Sequence, residues 1–333
     1  MSATKIFVSR QIPAVGLERL RQHFEVDLWP ENGPPSRQEL LQRVVGCSGI
    51  LSLLSDRIDE EVFACAGPQL RVVSNYAVGY NNIDIEAAAA RGIRVGNTPD
   101  VLTDATADMA VCLLLAAARH LKPAIDNVRL GRWSTWEPLG FLGSELAGKT
   151  LGVIGGGRIG SAMAKRCHGG WGMRILYASR GSFSALGQTT WSSRVPLDQL
   201  LQESDFISIH CDLNEQTKHL INRQTLQMMK QGAILINTAR GQIVDQDALC
   251  EALLYGPLGA AGLDVTDPEP LPPEHPLVGL DNCLILPHIG SATHQARDAM
   301  SRIAAENIIA AITGVAMPAE VARSGQHSSA PRA

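Results

Sequence analysis

Three polar residues in the second half of the sequence are of the types needed for proton transfer next to a bound anion: Arg240, Glu269 and His288. An imidazole beside a carboxylate is a good proton donor, and a guanidinium binds anions through charge-assisted hydrogen bonds. Glu269 lies in the sequence Asp-Pro-Glu-Pro, whose prolines stiffen a loop that can present the carboxylate to an imidazole. His288 follows an apolar run and Pro287, where a polar side chain needs a partner.

Taken singly, each of these residues has an ordinary structural interpretation. Arg240 could cap a helix, Glu269 could be a solvated loop acid, and most of the nine histidines are expected to be surface or hydrogen-bonded residues. Their place in the predicted fold favours a functional role. Each of them, like Asp264, lies at or just past the end of a predicted parallel strand, and ligands of open α/β sheets bind at that edge.

The strands that position these residues fall into two series, which alternate with helical patterns along the chain. The first series comprises residues 5–9, 25–29, 49–54, 71–75 and 93–96. The second comprises residues 150–154, 173–177, 206–210, 233–237, 260–264 and 284–286. Alternation of this kind predicts parallel βα units in two separate sheets.

Two long helices are predicted outside these repeats, over residues 104–122 and over residues 293–313 with a stop at Gly314. The sequence therefore predicts an α/β protein with two doubly wound parallel-sheet domains. A Rossmann-type nucleotide domain over residues 101–286 is inserted into a flavodoxin-like substrate domain, which is formed by residues 1–100 and 287–333.

A glycine-rich turn links the first strand of the second series to a helix and predicts a dinucleotide phosphate site. Gly155 would make the tight turn, Gly157 would let the backbone approach a pyrophosphate, and Gly160 would let the helix pack on the strand. The amides at the start of the helix, which begins with Arg158 and Ile159, are expected to hold the anion. Glycines of this spacing also occur in purely structural turns, but the strand before them and the helix after them favour the nucleotide site.

The end of the next strand indicates which dinucleotide is bound. An NAD site has an acidic residue about 20 residues after the glycines, and here the strand ends in Ala-Ser179-Arg180 instead. A hydroxyl beside a guanidinium can bind a 2′-phosphate through charge-assisted hydrogen bonds. Arg180 alone could be an ordinary solvated arginine, but at this position it favours NADP(H), with NAD as a possible second cofactor.

The composition excludes several classes of function. The chain has 333 residues, a net charge of −4 and a sequence pI near 6.1, with no cluster of basic residues that would bind nucleic acid or an anionic membrane. Seven cysteines without a CxxC pair are expected to be reduced thiols, most of them in the core, and no metal site is predicted. The N-terminus enters a strand with no signal-peptide pattern, so a cytoplasmic location is expected.

The motifs resemble those of the D-2-hydroxyacid dehydrogenase family over nearly the whole chain, up to about Val321. The resemblance is greatest to its glyoxylate reductase/hydroxypyruvate reductase branch. The glycine-rich turn contributes to it, with a departure at Gly156, where many relatives have a bulkier residue. The other stretches that carry it are residues 75–84, 97–106, 236–241, 262–270 and 286–292.

The resemblance implies a role for each matching residue. The catalytic set would be Arg240, Glu269 and His288. The cofactor would contact Thr106, Gly155, Gly157, Arg158, Ile159, Gly160, Ser179, Arg180, Thr238, Ala239, Arg240, Asp264 and Gly290, with Asp264 holding the nicotinamide amide. The substrate would contact Leu54, Val78, Gly79, Arg240, His288, Ser291 and Trp136, with the backbone of Val78 and Gly79 on its carboxylate.

The activity implied is reduction of glyoxylate to glycolate and of hydroxypyruvate to D-glycerate with NADPH. Such a reaction needs a proton donor and a cation at the substrate oxygen, which His288, kept protonated by Glu269, and Arg240 would supply. A homodimer is also expected, because the apolar helix over 104–122 would expose too much surface alone, and Trp136 would reach the pocket of the other subunit. The alternatives are a related dehydrogenase acting on 3-phosphoglycerate or phosphite, and a non-enzymatic nicotinamide-sensing protein like the C-terminal-binding-protein corepressors.

Overall fold

The structure, a computed structural model, describes residues 4–179 and 185–321 and divides into two compact units. The first unit is formed by Met1–Leu102 together with Ala292–Ala333, and the second by Thr103–Ser291. Each unit contains a parallel β-sheet with helices, which confirms the predicted α/β class.

The strands of the described chain are short and, apart from β8, lie close to the predicted runs. In chain order they are β1 (Lys5–Val8), β2 (Glu25–Leu28), β3 (Gly49–Ser52), β4 (Val72–Asn75), β5 (Arg94–Gly96), β6 (Thr150–Ile154), β7 (Arg174–Ala178), β8 (Ser192–Arg194), β9 (Phe206–Ile209), β10 (Ala233–Asn237), β11 (Leu258–Leu263) and β12 (Cys283–Ile285).

The helices alternate with these strands, as parallel sheets require. They are α1 (Ala14–Arg21), α2 (Arg37–Arg43), α3 (Glu60–Ala66), α4 (Ile85–Ala90), α5 (Thr103–Ala118), α6 (Leu121–Arg129), α7 (Arg158–Trp171), α8 (Leu197–Glu203), α9 (Arg223–Gln227), α10 (Gln246–Leu254), α11 (Pro276–Gly279) and α12 (His294–Thr313). Of the helices in the described part of the chain, none combines the length and the apolar character needed to cross a membrane.

The first unit is built on a parallel sheet in the order β2-β1-β3-β4-β5. Helix α12 returns to this unit and packs on β3, β4, β5 and α1. Its N-terminus is capped by the Thr293 hydroxyl, which accepts a hydrogen bond from the Ala296 amide at 3.1 Å, and Gly314 ends it with a φ of 80°. The helix predicted over residues 293–313 is thereby confirmed.

The second unit contains a parallel sheet in the order β12-β11-β10-β9-β6-β7-β8. Six of these strands were predicted, and β8 was not. It consists of only three residues, Ser-Ser-Arg, and lies at the edge of the sheet, so it lacks the apolar run by which a buried parallel strand is identified. The carboxyl ends of β6, β9, β10, β11 and β12 carry the candidate site.

The prediction of one continuous helix over residues 104–122 is wrong, because the helix is interrupted after Ala118. Helix α5 ends at Ala118, His120 takes the left-handed conformation with a φ of 52°, and α6 then begins. The Ala118 carbonyl accepts a hydrogen bond from the Ser144 amide at 2.9 Å, in place of the amide four residues further along a continuous helix. Pro123 is the local signal for this interruption, because in a continuous helix it would have no N–H to donate to the Arg119 carbonyl and its ring would clash with that carbonyl. A contact with a residue 26 positions away satisfies the carbonyl at the end of α5 instead.

Candidate active site

The glycine-rich turn between β6 and α7 has a backbone that only glycine can supply at two positions. Gly155 has a φ of +99°, and a Cβ at this residue would lie 2.5 Å from the Cys211 nitrogen. A Cβ at Gly160 would overlap the Gly155 carbonyl oxygen. These contacts bring the start of α7 close to the end of β6.

The chain has open space beside Gly157, at the start of α7. Gly157 precedes the helix, no described side chain caps it there, and nothing lies within 4 Å of the Cβ that another residue would place at Gly157. A helix N-terminus attracts anions through its first backbone N–H groups and its dipole. The turn therefore fits the pyrophosphate of a dinucleotide.

Ser179 follows β7, and its carbonyl oxygen accepts a hydrogen bond of 2.6 Å from Nη2 of Arg194. Arg194 lies on β8, a strand without an apolar pattern, so the sequence does not indicate a second guanidinium beside Ser179. The predicted partner of Ser179 in phosphate binding, Arg180, lies outside the described residues.

The loop after β10 is folded by the side chain of Asn237, the last residue of that strand. The Asn237 amide oxygen accepts a hydrogen bond from the Ala239 nitrogen at 3.0 Å, and its amide nitrogen donates to the Arg240 carbonyl at 2.9 Å. Within this turn, the buried hydroxyl of Thr238 has no hydrogen-bond partner in the described chain. A buried polar atom left in this way at the carboxyl edge of the sheet suits contact with a bound polar ligand.

Arg240 occupies a partly buried position at the end of this turn. Burial lowers the pKa of its guanidinium, whereas the negative charges of Glu269 and Asp212 favour the charged form. Its Nη1 donates to the Ala239 carbonyl at 2.7 Å, so that the side chain folds back on its own turn. A cation held here, close enough to feel the Glu269 charge, can bind an anionic substrate.

His288 and Glu269 form the closest polar contact of the candidate site. Nδ1 of His288 lies 2.5 Å from Oε1 of Glu269, and their side chains are 23% and 34% exposed. The other ring nitrogen, Nε2, makes no hydrogen bond to any described residue. His288 has a φ of 53°, an unusual value for a residue other than glycine, and such conformations are concentrated at functional sites.

Asp264 fixes the chain immediately after His288. Its Oδ1 accepts a hydrogen bond from the Ile289 amide at 2.8 Å, and its Oδ2 accepts one from the Gly290 amide at 2.6 Å. Burial raises the pKa of the Asp264 carboxyl, and the two amide donors and the charge of His288 oppose that effect. Both carboxylate oxygens are thus engaged by the loop that carries the histidine.

Two candidate residues of the second unit lie next to this loop in sequence or space. Thr106, on α5, is buried, and a Cβ on Gly290 would lie 3.4 Å from its methyl carbon. Ser291 follows Gly290 and is partly buried.

Trp136 is 80% exposed on the surface of the second unit. It belongs to an exposed apolar segment, residues 121–142. Helix α5, by contrast, buries its apolar side chains against β10, β11 and α7, so the expectation that this helix needs cover from a second copy is wrong. The large apolar side chains exposed in the segment are Leu121, Ile125, Val128, Leu130, Trp133, Trp136, Leu139, Phe141 and Leu142.

The candidate residues of the first unit follow β3 and β4. Leu54 is 39% exposed. The Val78 and Gly79 carbonyls accept hydrogen bonds of 2.8 Å each, from the side-chain amides of Asn97 and Asn75 respectively. The N–H groups of Val78 and Gly79 have no hydrogen-bond acceptor among the described residues, so this turn offers two adjacent amides to an anion.

Comparison with known proteins decides the family. The model of the D-isomer specific 2-hydroxyacid dehydrogenase NAD-binding domain matches residues 111–290. The glyoxylate reductase of Korarchaeum cryptofilum is 48% identical over 307 residues, which cover 92% of this chain and 92% of the relative. The chain belongs to the D-isomer-specific 2-hydroxyacid dehydrogenase family.

Other members of the family are also similar along nearly their full length. The glyoxylate reductase/hydroxypyruvate reductase of Mus musculus is 46% identical over 319 residues, which cover 95% of this chain and 97% of the relative. An NADPH-dependent glyoxylate/hydroxypyruvate reductase from Sinorhizobium meliloti, crystallised with NADP and malonate, superposes with a TM-score of 0.82 at 33% identity. The superposition covers 97% of this chain and 98% of that one. As a D-2-hydroxyacid dehydrogenase, the chain is an oxidoreductase that carries a nicotinamide-dinucleotide domain.

Two residues of this dehydrogenase that support the site were missed by sequence reasoning. Asn237 has a local signal, because an Asn at a strand end readily folds the following turn. His210, just after β9, has none. Its Nε2 lies 2.8 Å from the Ser208 hydroxyl and 3.2 Å from the Met163 sulfur, and burial lowers its pKa to about 4. It is therefore neutral at pH 7, directly behind the glycine-rich turn.

Proposed function

We propose that the chain reduces glyoxylate to glycolate and hydroxypyruvate to D-glycerate, with NADPH as the preferred cofactor. The observation that carries the proposal is the contact of 2.5 Å between His288 Nδ1 and Glu269 Oε1 in a dehydrogenase of this family. The glyoxylate reductases of Korarchaeum cryptofilum and Mus musculus, similar over more than nine-tenths of the chain, support this choice of substrates.

The second unit would hold the cofactor. Gly155, Gly157 and the first amides of α7 would bind the pyrophosphate, and the unpartnered Thr238 hydroxyl would meet a polar group of the same molecule. Ser179, Arg180 and Arg194 would bind the 2′-phosphate, since two guanidinium groups and a hydroxyl favour that group over a free ribose hydroxyl. Thr106, Ala239 and Gly290 complete the proposed set.

Two side chains of the protein would then neutralise the negative charge that develops on the substrate oxygen. When bound, the reduced nicotinamide supplies the hydride to the carbonyl carbon. His288 donates a proton from Nε2 to the carbonyl oxygen, which would otherwise carry the resulting negative charge. Glu269 stabilises the imidazolium before that transfer and fixes the ring orientation through Nδ1.

Arg240 would bind the carboxylate of the 2-oxo acid and polarise its carbonyl, because a guanidinium forms paired hydrogen bonds with planar oxyanions. The amides of Val78 and Gly79 would bind the same carboxylate, with Leu54 and Ser291 as further contacts. Asp264 would contribute by holding the loop that carries His288, in addition to its proposed contact with the nicotinamide amide. Trp136 would act in a homodimer, at the pocket of the other subunit.

The test is a turnover assay that follows NADPH consumption with glyoxylate and hydroxypyruvate, beside NADH-linked assays with 3-phosphoglycerate and with phosphite. Turnover with glyoxylate is expected to fall at least about 100-fold in His288→Ala, the lower range for loss of a general acid. NADPH affinity, measured separately by fluorescence, is expected to stay unchanged. Tight NADPH binding without turnover of any of these substrates would instead support a nicotinamide-sensing protein.

A further inference from the structure

The loop that carries Glu269 lies on the surface of the second unit, where few contacts hold it in place. Residues 267–270, between β11 and α11, are all exposed. Within the loop itself, the Thr266 hydroxyl donates to the Pro268 carbonyl at 2.8 Å. Pro268 and Pro270 stiffen the chain on either side of Glu269, but they do not by themselves fix where the loop lies relative to the His288 ring, from which the carboxylate is 2.5 Å away.

The anchor is the side chain of Gln246, the first residue of α10. Its amide oxygen accepts a hydrogen bond from the Asp267 backbone nitrogen at 2.8 Å, and its amide nitrogen donates to the Asp267 backbone carbonyl. One side chain therefore satisfies both main-chain polar groups of a single loop residue, two positions before Glu269. The backbone at Gln246 is itself held in place, because the Asp245 side chain caps the start of α10 by accepting a hydrogen bond from the Ala248 amide at 3.0 Å.

A second contact holds the same loop against the turn that carries Arg240. A Cβ at Gly241 would overlap the carbonyl oxygen of Thr266, so only a glycine allows the two backbones to approach this closely. The loop is consequently held on both sides, by a backbone contact next to Arg240 and by the Gln246 side chain.

We propose that Gln246 is a positioning residue that holds Glu269 against His288. The inference rests on the proposed function only in that it takes the Glu269–His288 pair as the proton-donating group. Gln246 makes no hydrogen bond to the His288 ring or to the Glu269 carboxylate in the described residues. It acts by holding the backbone at Asp267, two residues before Glu269. The charged groups that surround the imidazole in the described residues are Glu269, Asp264 and, through Glu269, Arg240.

The chain provides a matched control for this role. Gln242 is four residues earlier and also points to Asp267, but its Nε2 contacts the Asp267 side chain at 3.5 Å and not the backbone. Gln246→Met removes both backbone hydrogen bonds while keeping the length of the side chain. Gln246→Glu keeps an acceptor for the Asp267 amide and places a carboxylate oxygen against the Asp267 carbonyl. Gln242→Met removes only the side-chain contact.

Both Gln246 variants are expected to lower kcat for glyoxylate about tenfold with KM and NADPH affinity unchanged, since small misplacements of catalytic groups have effects up to about 100-fold. Gln242→Met is expected to leave kcat unchanged. In a Glu269→Gln background the Gln246→Met change is expected to have no further effect, because there is no carboxylate left to position. Thermal melting of each variant verifies that the fold is intact.

The second readout does not depend on turnover. In NMR spectra of protein with 13C-labelled histidine, assigned with His288→Ala, the ring signals of His288 are expected to move in Gln246→Met, because the carboxylate leaves its position at Nδ1. They are expected to move in the same direction in Glu269→Gln and to stay in place in Gln242→Met. His288 ring signals identical to those of the unmodified protein would overturn the proposal, as would an equal loss of kcat in the presence and absence of Glu269. If the unmodified protein fails to reduce glyoxylate, the proposed function is wrong, and the His288 ring signals still decide the role of Gln246.

Discussion

The imidazole of His288 and the carboxylate of Glu269 meet at 2.5 Å although they are carried by different connections, Glu269 after β11 and His288 after β12. Each connection has its own anchor. Gln246 holds the backbone at Asp267, and Asp264 holds the amides at Ile289 and Gly290. The pair is therefore fixed by two neighbouring parallel strands and not by one flexible loop.

This pairing predicts a loss of turnover when the carboxylate is removed. Replacing Glu269 by Gln removes the negative charge that stabilises the imidazolium, so His288 becomes a poorer proton donor. The kcat for glyoxylate should fall by about 100-fold in Glu269→Gln, the lower range for general acid catalysis, and it should stay unchanged in Glu274→Gln, a change at an exposed acid of the same connection. An unchanged kcat in Glu269→Gln would mean that Glu269 does not assist His288.

Much of the candidate site could be predicted because its residues follow the ends of parallel strands. Apolar runs locate those ends to within about two residues, and topology brings them to one edge, which is how Arg240, Asp264 and His288 were found together. The partners of these residues could not be predicted in the same way. Gln246 contacts Asp267, 21 residues further on, and the oxygens of Asp264 bind amides 25 and 26 residues further on.

The errors in the predicted elements have the same origin. Helix α5 ends at Ala118, whose carbonyl accepts from the distant Ser144 amide, and the only local signal of this interruption is Pro123, just beyond the predicted helix. Strand β8 has no apolar pattern, since it lies at the edge of its sheet. The cysteines were expected mostly in the core, but only Cys47, Cys167 and Cys283 are buried, because a small apolar residue is also tolerated at partly exposed positions.

Cofactor choice is predicted from the residues after β7. Replacing Arg180 by Ala should weaken NADPH binding by about 1.5 to 3 kcal/mol, the range for hydrogen bonds to charged groups, and should leave NADH binding nearly unchanged. Arg174→Ala is the matched control, because Arg174 begins the same strand and pairs with Glu203 at 2.6 Å. Affinities for both cofactors can be measured by the quenching of protein fluorescence. Equal catalytic efficiency of the unmodified protein with NADPH and NADH would contradict the proposed preference.

Oligomeric state is predicted from the exposed apolar segment over residues 121–142. A surface this apolar is expected to be covered by a symmetry-related copy, so light scattering should give twice the chain mass of 35.7 kDa at micromolar concentration. A monomeric mass under these conditions would remove the physical basis for placing Trp136 at a second subunit's pocket.

The same segment predicts substrate size selection. In a dimer the bulk of Trp136 would restrict the pocket, so glyoxylate and hydroxypyruvate should be accepted and phenylpyruvate and branched 2-oxo acids should be poor substrates. Trp136→Ala should raise kcat/KM for the larger acids relative to glyoxylate and keep turnover of glyoxylate. Trp133→Ala, which removes a tryptophan 67% exposed in the same segment, is the control and should keep the discrimination. An unchanged substrate profile in Trp136→Ala would exclude this role.

The partly buried His210 predicts a loss of stability in acid. Its pKa is lowered to about 4 in the folded chain, against about 6.5 for a free histidine, so the unfolded chain binds the proton first as pH falls. The stabilisation is complete above pH 6.5 and is lost between about pH 6.5 and pH 4. The difference corresponds to about 3 kcal/mol, because each pH unit represents about 1.4 kcal/mol.

A variant that cannot take up this proton should lose less stability over the same range. Thermal melting of the unmodified protein and of His210→Gln at pH 7.5 and at pH 4.5 should show a smaller drop in Tm for the variant. The two drops should differ by roughly 6 to 12 °C, the shift expected for about 3 kcal/mol in a domain the size of the second unit. His23→Gln, at an exposed histidine, should melt with the pH dependence of the unmodified protein. If His210→Gln loses as much stability in acid as the unmodified protein does, then His210 is not held neutral behind the glycine-rich turn.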